Sequence, residues 1–321
     1  MRTRLPVAVL LSAIVIALRS AMAMASLQNI YVLSQDDGIL SVIDTDTDEI
    51  AAKIAITGKP AAFTIDSASR KAFATLPDAG EIAVVDLERR VVRSMLKIGG
   101  QPFGITSDNA GRLFISDWSA NRISIVNETT GVIETTLSVG RSPAHLVATR
   151  DGTRVYVADR ESNTVAVIDT RGLKILTEIA VGRAPFALSL SPDDKQLVVA
   201  NVQAATLSIV DTDMLRIVSS PATGKMPYGV TITPDNSEIL VSNQHGGTVS
   251  IFDARTHEPR GEIKVGRYPE GVAALRNGRK AYVANWFSGS VSVLDLQTKT
   301  EIKKIKCPEG PRMVLVDTTA H

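Results

Sequence analysis

The chain has 321 residues, of which 44% are hydrophobic and 21% charged, and its formal net charge is +1 at neutral pH. This composition is that of a globular protein with a buried core, and it excludes a disordered or collagen-like chain. The balance of charge excludes a general electrostatic attraction to nucleic acid or membranes, so any charged contact has to be local. Cys307 is the single cysteine, which excludes an intrachain disulfide and a metal site built from paired thiolates.

The first 25 residues have the order of a secretory signal peptide. Two arginines precede an apolar run from Pro6 to Leu18, and small residues follow it. The run is shorter than the roughly 20 residues that span a bilayer. We therefore expect a signal peptide over 1–25, a mature periplasmic or secreted protein over 26–321, and no stable membrane span after cleavage. Arg19 interrupts the pattern and leaves an uncleaved N-terminal anchor as the alternative.

A repeat of about 42 residues runs through the chain. Seven prolines mark it at intervals of 41 or 42 residues, and each is followed three positions later by an apolar residue. These prolines are Pro60, Pro102, Pro143, Pro185, Pro227, Pro269 and Pro311. Each complete unit holds four short apolar and β-branched runs separated by turn signals, which is typical of one β-propeller blade.

The two ends of the chain hold complementary parts of one unit. Residues 29–57 contain the second, third and fourth runs without a proline-led first run, whereas the segment from Pro311 is a first run with nothing after it. The sequence therefore predicts an all-β fold, a single seven-bladed β-propeller of four-stranded blades over 26–321. Its closing blade is shared by the N- and C-terminal strands, which leaves few exposed sheet edges.

Four tetrads carry a resemblance to a known family. They end the second runs and are Tyr156-Val157-Ala158-Asp159, Val198-Val199-Ala200-Asn201, Leu240-Val241-Ser242-Asn243 and Tyr282-Val283-Ala284-Asn285. With the VxVxD runs and Gly-x-x-Pro loops that follow, residues 29–316 resemble the YVTN-repeat (YncE-like) seven-bladed β-propeller family. The resemblance implies a secreted or periplasmic protein without assigned chemistry. Some members bind single-stranded DNA, so single-stranded nucleic acid is one ligand that the resemblance implies.

A second series of residues has the same spacing as the prolines: Asp44, Asp86, Asn127, Asp169, Asp211, Asp253 and Asp295. They begin the predicted turn between the third and fourth strands, where such side chains accept hydrogen bonds from nearby backbone N–H groups. Since different blades hold them far apart, we interpret them as turn residues and assign no metal ligand.

The predicted contact surface combines cations with aromatic rings. Because the strands run alternately up and down, the Gly-x-x-Pro loops and the loops after the tetrads share one face. Cations stand two residues before the proline in four successive blades: Arg141, Arg183, Lys225 and Arg267. The other candidate ligand-binding residues are Phe186, Tyr228, Trp118, Trp286, His245 and Glu270. This pattern favours a non-catalytic scaffold, without a cofactor, for an anionic or aromatic ligand, including single-stranded nucleic acid, or for a periplasmic protein partner.

Other interpretations stay open at this level. The cations and aromatic residues could serve the repeat itself, as turn and packing residues. A lactonase- or lyase-type enzyme would use Glu270 and His245 with a divalent metal near the axis, and Asp117 and Asp159 are further acids expected on the rim loops.

Two larger residues stand close to the predicted axis. The second position after the proline is otherwise small, but His145 and Met313 occupy it in two units. Metal or haem ligation and simple space filling are both compatible with them.

Overall fold

The computed structural model describes residues 28–108 and 110–317, so the signal peptide expected over 1–25 lies outside the described residues. The described residues form 28 strands. In chain order the strands are β1 (Asn29–Ser34), β2 (Ile39–Asp44), β3 (Glu49–Ala55), β4 (Phe63–Asp66), β5 (Lys71–Leu76), β6 (Glu81–Asp86), β7 (Val91–Lys97), β8 (Pro102–Ser107), β9 (Arg112–Asp117), β10 (Arg122–Asn127), β11 (Ile133–Ser138), β12 (Pro143–Ala148), β13 (Arg154–Asp159), β14 (Thr164–Asp169), β15 (Lys174–Ala180), β16 (Pro185–Leu190), β17 (Gln196–Asn201), β18 (Thr206–Asp211), β19 (Arg216–Ser219), β20 (Pro227–Ile232), β21 (Glu238–Asn243), β22 (Thr248–Asp253), β23 (Pro259–Lys264), β24 (Pro269–Ala274), β25 (Lys280–Asn285), β26 (Ser290–Asp295), β27 (Thr300–Lys306) and β28 (Pro311–Val316).

The strands form seven antiparallel sheets of four strands, which confirms the seven-bladed propeller. Six sheets follow the chain, for example in the order β12-β13-β14-β15. The seventh has the order β28-β1-β2-β3, and Tyr31 of β1 pairs with Leu315 of β28. The closing blade is therefore shared by the two ends of the chain, as predicted.

The hydrophobic core lies between adjacent blades. The second and third strands are buried on both faces, as in β13, because each blade packs against two neighbours. Val157 and Ile168 of one blade belong to the same buried cluster as Phe114 and Ile125 of the preceding one. The outermost strands, such as β15, alternate exposed and partly buried residues because only one of their faces meets a neighbour.

The turns between the third and fourth strands confirm the interpretation of the aspartate series. The carboxylate of Asp44 accepts hydrogen bonds from the backbone N–H groups of Asp46 and Thr47, at 2.9 and 3.0 Å. The same kind of bond is made by Asp86, Asn127, Asp169, Asp211, Asp253 and Asp295. The series is therefore structural.

Helical structure is minor in the part of the chain that the structure describes. It is confined to one 3₁₀ turn, Trp286–Ser288, after β25. Within the same residues, no helix has the length and apolar character that crossing a membrane requires.

Candidate functional site at the mouth of the axial channel

The Gly-x-x-Pro loops and the loops after the second strands contact each other directly. Nη2 of Arg141 donates a 2.9 Å hydrogen bond to the backbone oxygen of Glu161, and the backbone N–H of Arg141 donates to Oγ of Ser162. Nη2 of Arg267 donates in the same way to the backbone oxygen of Phe287, at 3.0 Å. The two sets of loops thus lie on one face, which we call the loop face.

The four predicted cations are exposed on the loop face, in an outer ring. The guanidinium of Arg183 donates a long hydrogen bond of 3.5 Å to the backbone oxygen of Gln203. The Lys225 ammonium makes no hydrogen bond or ion pair with any described residue. The three arginines therefore hold the adjoining loops with part of their hydrogen-bonding capacity and leave further N–H groups exposed.

The first strands of the blades surround an axial cavity of about 1030 Å³. His145 and Met313 line it, as their position in the repeat predicts. Near the loop face, the cavity is lined by Phe186, Tyr228, Glu270 and Arg312, which directly follow repeated prolines, and the residues at the same position of the other blades complete this level of the ring. The residues at this position are Ala61, Phe103, Ala144, Phe186, Tyr228, Glu270 and Arg312, and we call this level the neck.

Aromatic rings form one side of the neck. The ring of Phe186 packs against Tyr228, with centroids 4.2 Å apart, and against Phe103 at 5.9 Å. Phe103 in turn contacts Trp118 at 5.0 Å. The structure thus brings together three predicted site residues, Trp118, Phe186 and Tyr228. Phe186 is only 3% exposed, because its neighbours cover it, so it supports the cluster and offers little free stacking surface.

Arg312 occupies the centre of the neck; the sequence marks it as a cation beside a repeated proline, but it is not among the candidate ligand-binding residues. Its guanidinium carbon lies 5.6 Å from the ring centroid of Phe103 and 5.4 Å from that of Trp286. Nη1 donates to Oε1 of Gln35 at 2.9 Å, and Nη2 donates to the Tyr228 hydroxyl at 3.3 Å. Arg312 thereby joins Trp286 to the aromatic side of the neck.

Glu270 is a buried carboxylic acid beside Arg312. It is 6% exposed, and its Oε1 accepts a 2.7 Å hydrogen bond from Nε2 of Gln244. Its Oε2 lies 3.7 Å from Nε of Arg312 and accepts no hydrogen bond from any described residue. Burial raises the pKa of Glu270 to about 7, although Arg312 and Gln244 favour the ionised form.

His145 is a neutral ring in the wall of the neck. Its centroid lies 4.9 Å from that of Phe186 and 5.7 Å from that of Phe103. Burial, with a smaller effect from Arg312, lowers its pKa to about 3. The imidazole is therefore uncharged at physiological pH and adds a polar edge to an otherwise aromatic surface.

His245 lies apart from the neck, on the exposed part of the loop face. Its Nε2 is 3.1 Å from the Tyr268 hydroxyl, and Tyr268 packs against Phe287. In the described part of the chain, His245 makes no hydrogen bond or ion pair with Glu270, its partner in the enzyme interpretation. Within residues 28–108 and 110–317, no three His, Cys, Asp or Glu side chains group closely enough to hold a metal ion.

Asp117 and Asp159 were expected on the rim loops, and this expectation is wrong. Both are buried at the ends of the second strands. The reason is the glycine of the Gly-x-x-Pro loop, which packs directly over the last residue of the second strand: a Cβ on Gly140 would lie 2.6 Å from that of Asp159. These acids therefore support the loops and are not presented to solvent.

Comparison with known proteins supports the fold. A family model for YNCE-like β-propellers matches residues 102–218. No curated protein matches the chain at a significant level.

Several solved structures have a similar fold. Hydrazine synthase of Kuenenia stuttgartiensis is 18% identical with a TM-score of 0.72, over 79% of this chain and 88% of that one. A functionally unknown protein from Desulfotomaculum acetoxidans DSM 771 is 14% identical with a TM-score of 0.77, over 90% and 98%. The dihydro-heme d1 dehydrogenase NirN, in complex with DHE, is 15% identical with a TM-score of 0.66, over 87% and 64%.

These identities are too low to transfer an activity, so the likeness shows the fold alone. Together with the seven blades, the family match confirms the resemblance found in the sequence: the chain is a seven-bladed β-propeller whose residues 102–218 match the YNCE-like family.

Proposed function

We propose that this protein is a periplasmic or secreted binding scaffold without catalytic activity. It recognises an anionic ligand that carries aromatic rings, and the loop face is its contact surface. The observation that carries the proposal is the position of Arg312, a cation among the rings of Phe103, Trp286 and Tyr228, on the same face as four exposed cations.

The outer cations and the neck contribute in different ways. Exposed Arg141, Arg183, Lys225 and Arg267 attract anionic groups over several ångströms and act less strongly as salt concentration rises. The partly exposed rings of Trp118 and Trp286 offer surfaces on which a planar ring stacks. Because hydrogen bonds to neighbouring loops hold the arginines, little side-chain entropy is lost on binding.

Single-stranded nucleic acid is the macromolecular ligand that fits this combination best. Its phosphates match a ring of cations, and its bases match exposed aromatic side chains. The NirN structure is that of a complex with DHE. The present proposal rests on the residues of this chain and not on that likeness.

The proposal is tested by binding of short oligo(dT), measured by fluorescence anisotropy at several salt concentrations. Inorganic polyphosphate serves as an anion without rings. We expect oligo(dT) to bind more tightly than polyphosphate and its affinity to fall steeply with salt. In the variant Arg183→Glu/Lys225→Glu the affinity should fall by about tenfold or more, because two attractive contacts become repulsive.

The matched control is Lys174→Glu/Lys195→Glu. It changes the charge equally, and both lysines are exposed at turns of the opposite face. Equal loss in both variants would show a general charge effect, and unchanged binding in Arg183→Glu/Lys225→Glu would exclude the loop face as contact surface.

A further inference from the structure

We propose that the neck is a distinct subsite for the carboxylate of a small aromatic acid. Arg312 binds the carboxylate, and Glu270 is the internal anion that the ligand displaces. This inference rests on the proposed function, because it specifies the ligand class at the centre of the same face.

The guanidinium of Arg312 has N–H groups that donate to no described residue. Each of its Nη nitrogens carries two N–H groups, and each donates to one partner, Gln35 or Tyr228. One N–H per nitrogen is left, and a carboxylate accepts from two such groups in parallel. The side chain is only 9% exposed, so an ion pair formed there is screened by water far less than one on the outer ring.

The Glu270 carboxyl is the anion next to Arg312 that a ligand carboxylate would replace. Glu270 lines the cavity, and its buried Oε2 accepts no hydrogen bond from a described residue and lies 3.7 Å from Nε of Arg312. A buried carboxylate oxygen in such a position costs free energy unless another group satisfies it. A ligand that binds Arg312 therefore replaces an imperfect partner.

The surroundings of the neck select an aromatic acid of modest size. Rings of Phe103, Phe186, Tyr228 and neutral His145 form its wall. Behind the neck lies the axial cavity of about 1030 Å³, which has room for the ring of such a ligand. A monoanion suits the neck better than a phosphate dianion, because Arg312 is the single cation among the residues of the neck.

Binding is coupled to the uptake of one proton. Two charged groups shift the pKa of Glu270: Arg312 of β28 lowers it, and Asp36 of the turn after β1 raises it. Tyr228 of β20 is the third titratable group beside this pair. With a pKa of about 7, Glu270 is protonated in acid, where its O–H donates to the ligand carboxylate. Above that pH an ionised Glu270 must take up a proton or repel the ligand, so affinity should fall up to tenfold per pH unit.

The two tryptophans of the chain, Trp118 and Trp286, both adjoin the neck and supply an intrinsic probe. We would titrate the protein with benzoate between pH 5.5 and 8.5, following tryptophan emission and heat of binding. Benzamide is the uncharged analogue, and cyclohexanecarboxylate is the analogue without an aromatic ring. We expect benzoate to bind more tightly than both analogues, and only the two acids to show the pH dependence.

Two variants act in opposite directions. Glu270→Gln keeps the size of the side chain and removes its charge, so we expect tighter benzoate binding at pH 8.5, by about tenfold, and no dependence on pH. Arg312→Met keeps an aliphatic chain and should lose benzoate binding at every pH. Lys264→Gln, a loss of charge on β23, is the matched control and should bind as the unaltered protein does.

The proposal is overturned if the unaltered protein shows no response to benzoate at pH 5.5, if benzamide binds as tightly, or if Glu270→Gln weakens binding. Because Glu270→Gln predicts a gain, misfolding cannot imitate the expected result. If the unaltered protein binds oligo(dT) but does not respond to benzoate, the neck subsite is rejected and the proposed function stands. Benzoate binding without an effect of Arg183→Glu/Lys225→Glu on oligo(dT) binding excludes the loop face as the contact surface for oligo(dT) and leaves the neck subsite.

Discussion

The side chain of Asn285 accepts a 3.0 Å hydrogen bond at Oδ1 from the backbone N–H of Gly266. Its Nδ2 donates to the hydroxyls of Ser290 and Ser292 on the next strand. The last residue of the second strand therefore connects the third strand to the Gly-x-x-Pro loop. The last residue of the tetrad and the glycine of the Gly-x-x-Pro loop thus contact each other directly, and this contact holds the loop in place on the loop face.

This contact requires glycine in the loop. A Cβ on Gly182 would lie 2.5 Å from Nδ2 and 2.6 Å from Cγ of Asn201. We expect Gly182→Ala to lower the free energy of unfolding by roughly 1–3 kcal/mol, because either the loop backbone or the Asn201 side chain must move to make room for the Cβ. Urea denaturation measures the change. In an Asn201→Ala background the penalty should shrink, since the two nearest atoms are removed and only the Cβ at 2.9 Å remains. Simple additivity of the two substitutions would contradict the assigned contact.

Asp159 occupies the asparagine position but lacks the partners. It is 0% exposed, and neither carboxylate oxygen accepts a hydrogen bond from a described residue. Asn201 donates to Thr206 and Ser208, whereas Thr164 and Ala166 stand at the matching positions of the Asp159 blade. Burial raises the pKa of Asp159 to about 7, although the nearby backbone N–H of Gly140 and the hydroxyl of Thr164 favour the ionised form. The protonated form is therefore favoured by folding.

The sign of the pH effect follows directly. Below about pH 4 the carboxyl is protonated in both the folded and the unfolded chain, and its contribution to stability is complete. Between pH 4 and 7 the unfolded chain releases the proton first, so stability falls as pH rises. We expect Asp159→Asn to raise the free energy of unfolding at pH 8 by roughly 1–3 kcal/mol and to change it little at pH 4.

Denaturant unfolding of both proteins at pH 4 and pH 8 measures this difference. Asn201→Asp is the matched control, because it places a carboxylate in a site with two hydroxyl donors. We expect this substitution to lower the free energy of unfolding at pH 8 by less than the gain from Asp159→Asn. An equal gain from Asp159→Asn at both pH values would show that the proton is not responsible.

The blades could be predicted from sequence because the signals that define them are local. Repeated prolines, turn residues and alternating apolar runs each act within a few positions, and the missing first strand pointed to β28 as its replacement. The side chains of the site were harder to place. Arg312 follows a proline just as Phe186 does, but its direction depends on partners from several blades, such as Phe103 and Gln35. The burial of Asp159 depends on a glycine that precedes it by nineteen positions.

The turn between the third and fourth strands can be tested by comparing two substitutions of Asp211, because another blade has asparagine at the same position. Oδ1 of Asp211 accepts hydrogen bonds from the backbone N–H groups of Asp213 and Met214, at 3.0 and 2.8 Å. Asn127 makes the same bonds in another blade. Asp211→Ala should therefore lower the free energy of unfolding by about 1 kcal/mol, and Asp211→Asn should leave it nearly unchanged, as measured by thermal denaturation. Equal losses would show that charge, not hydrogen bonding, matters there.

The closure of the ring is tested at the seam between the first and last blades. The Tyr282 hydroxyl donates a hydrogen bond to Asp48, which also pairs with Lys280 at 2.8 Å. Tyr156 has the equivalent position in another blade, and its buried hydroxyl bonds to no described residue. Tyr282→Phe should lower the free energy of unfolding by roughly 1–3 kcal/mol, because Asp48 loses a partner, whereas Tyr156→Phe should be neutral or stabilising. Thermal unfolding of the two variants decides the matter: equal effects would mean that Asp48 does not hold the two ends of the chain together.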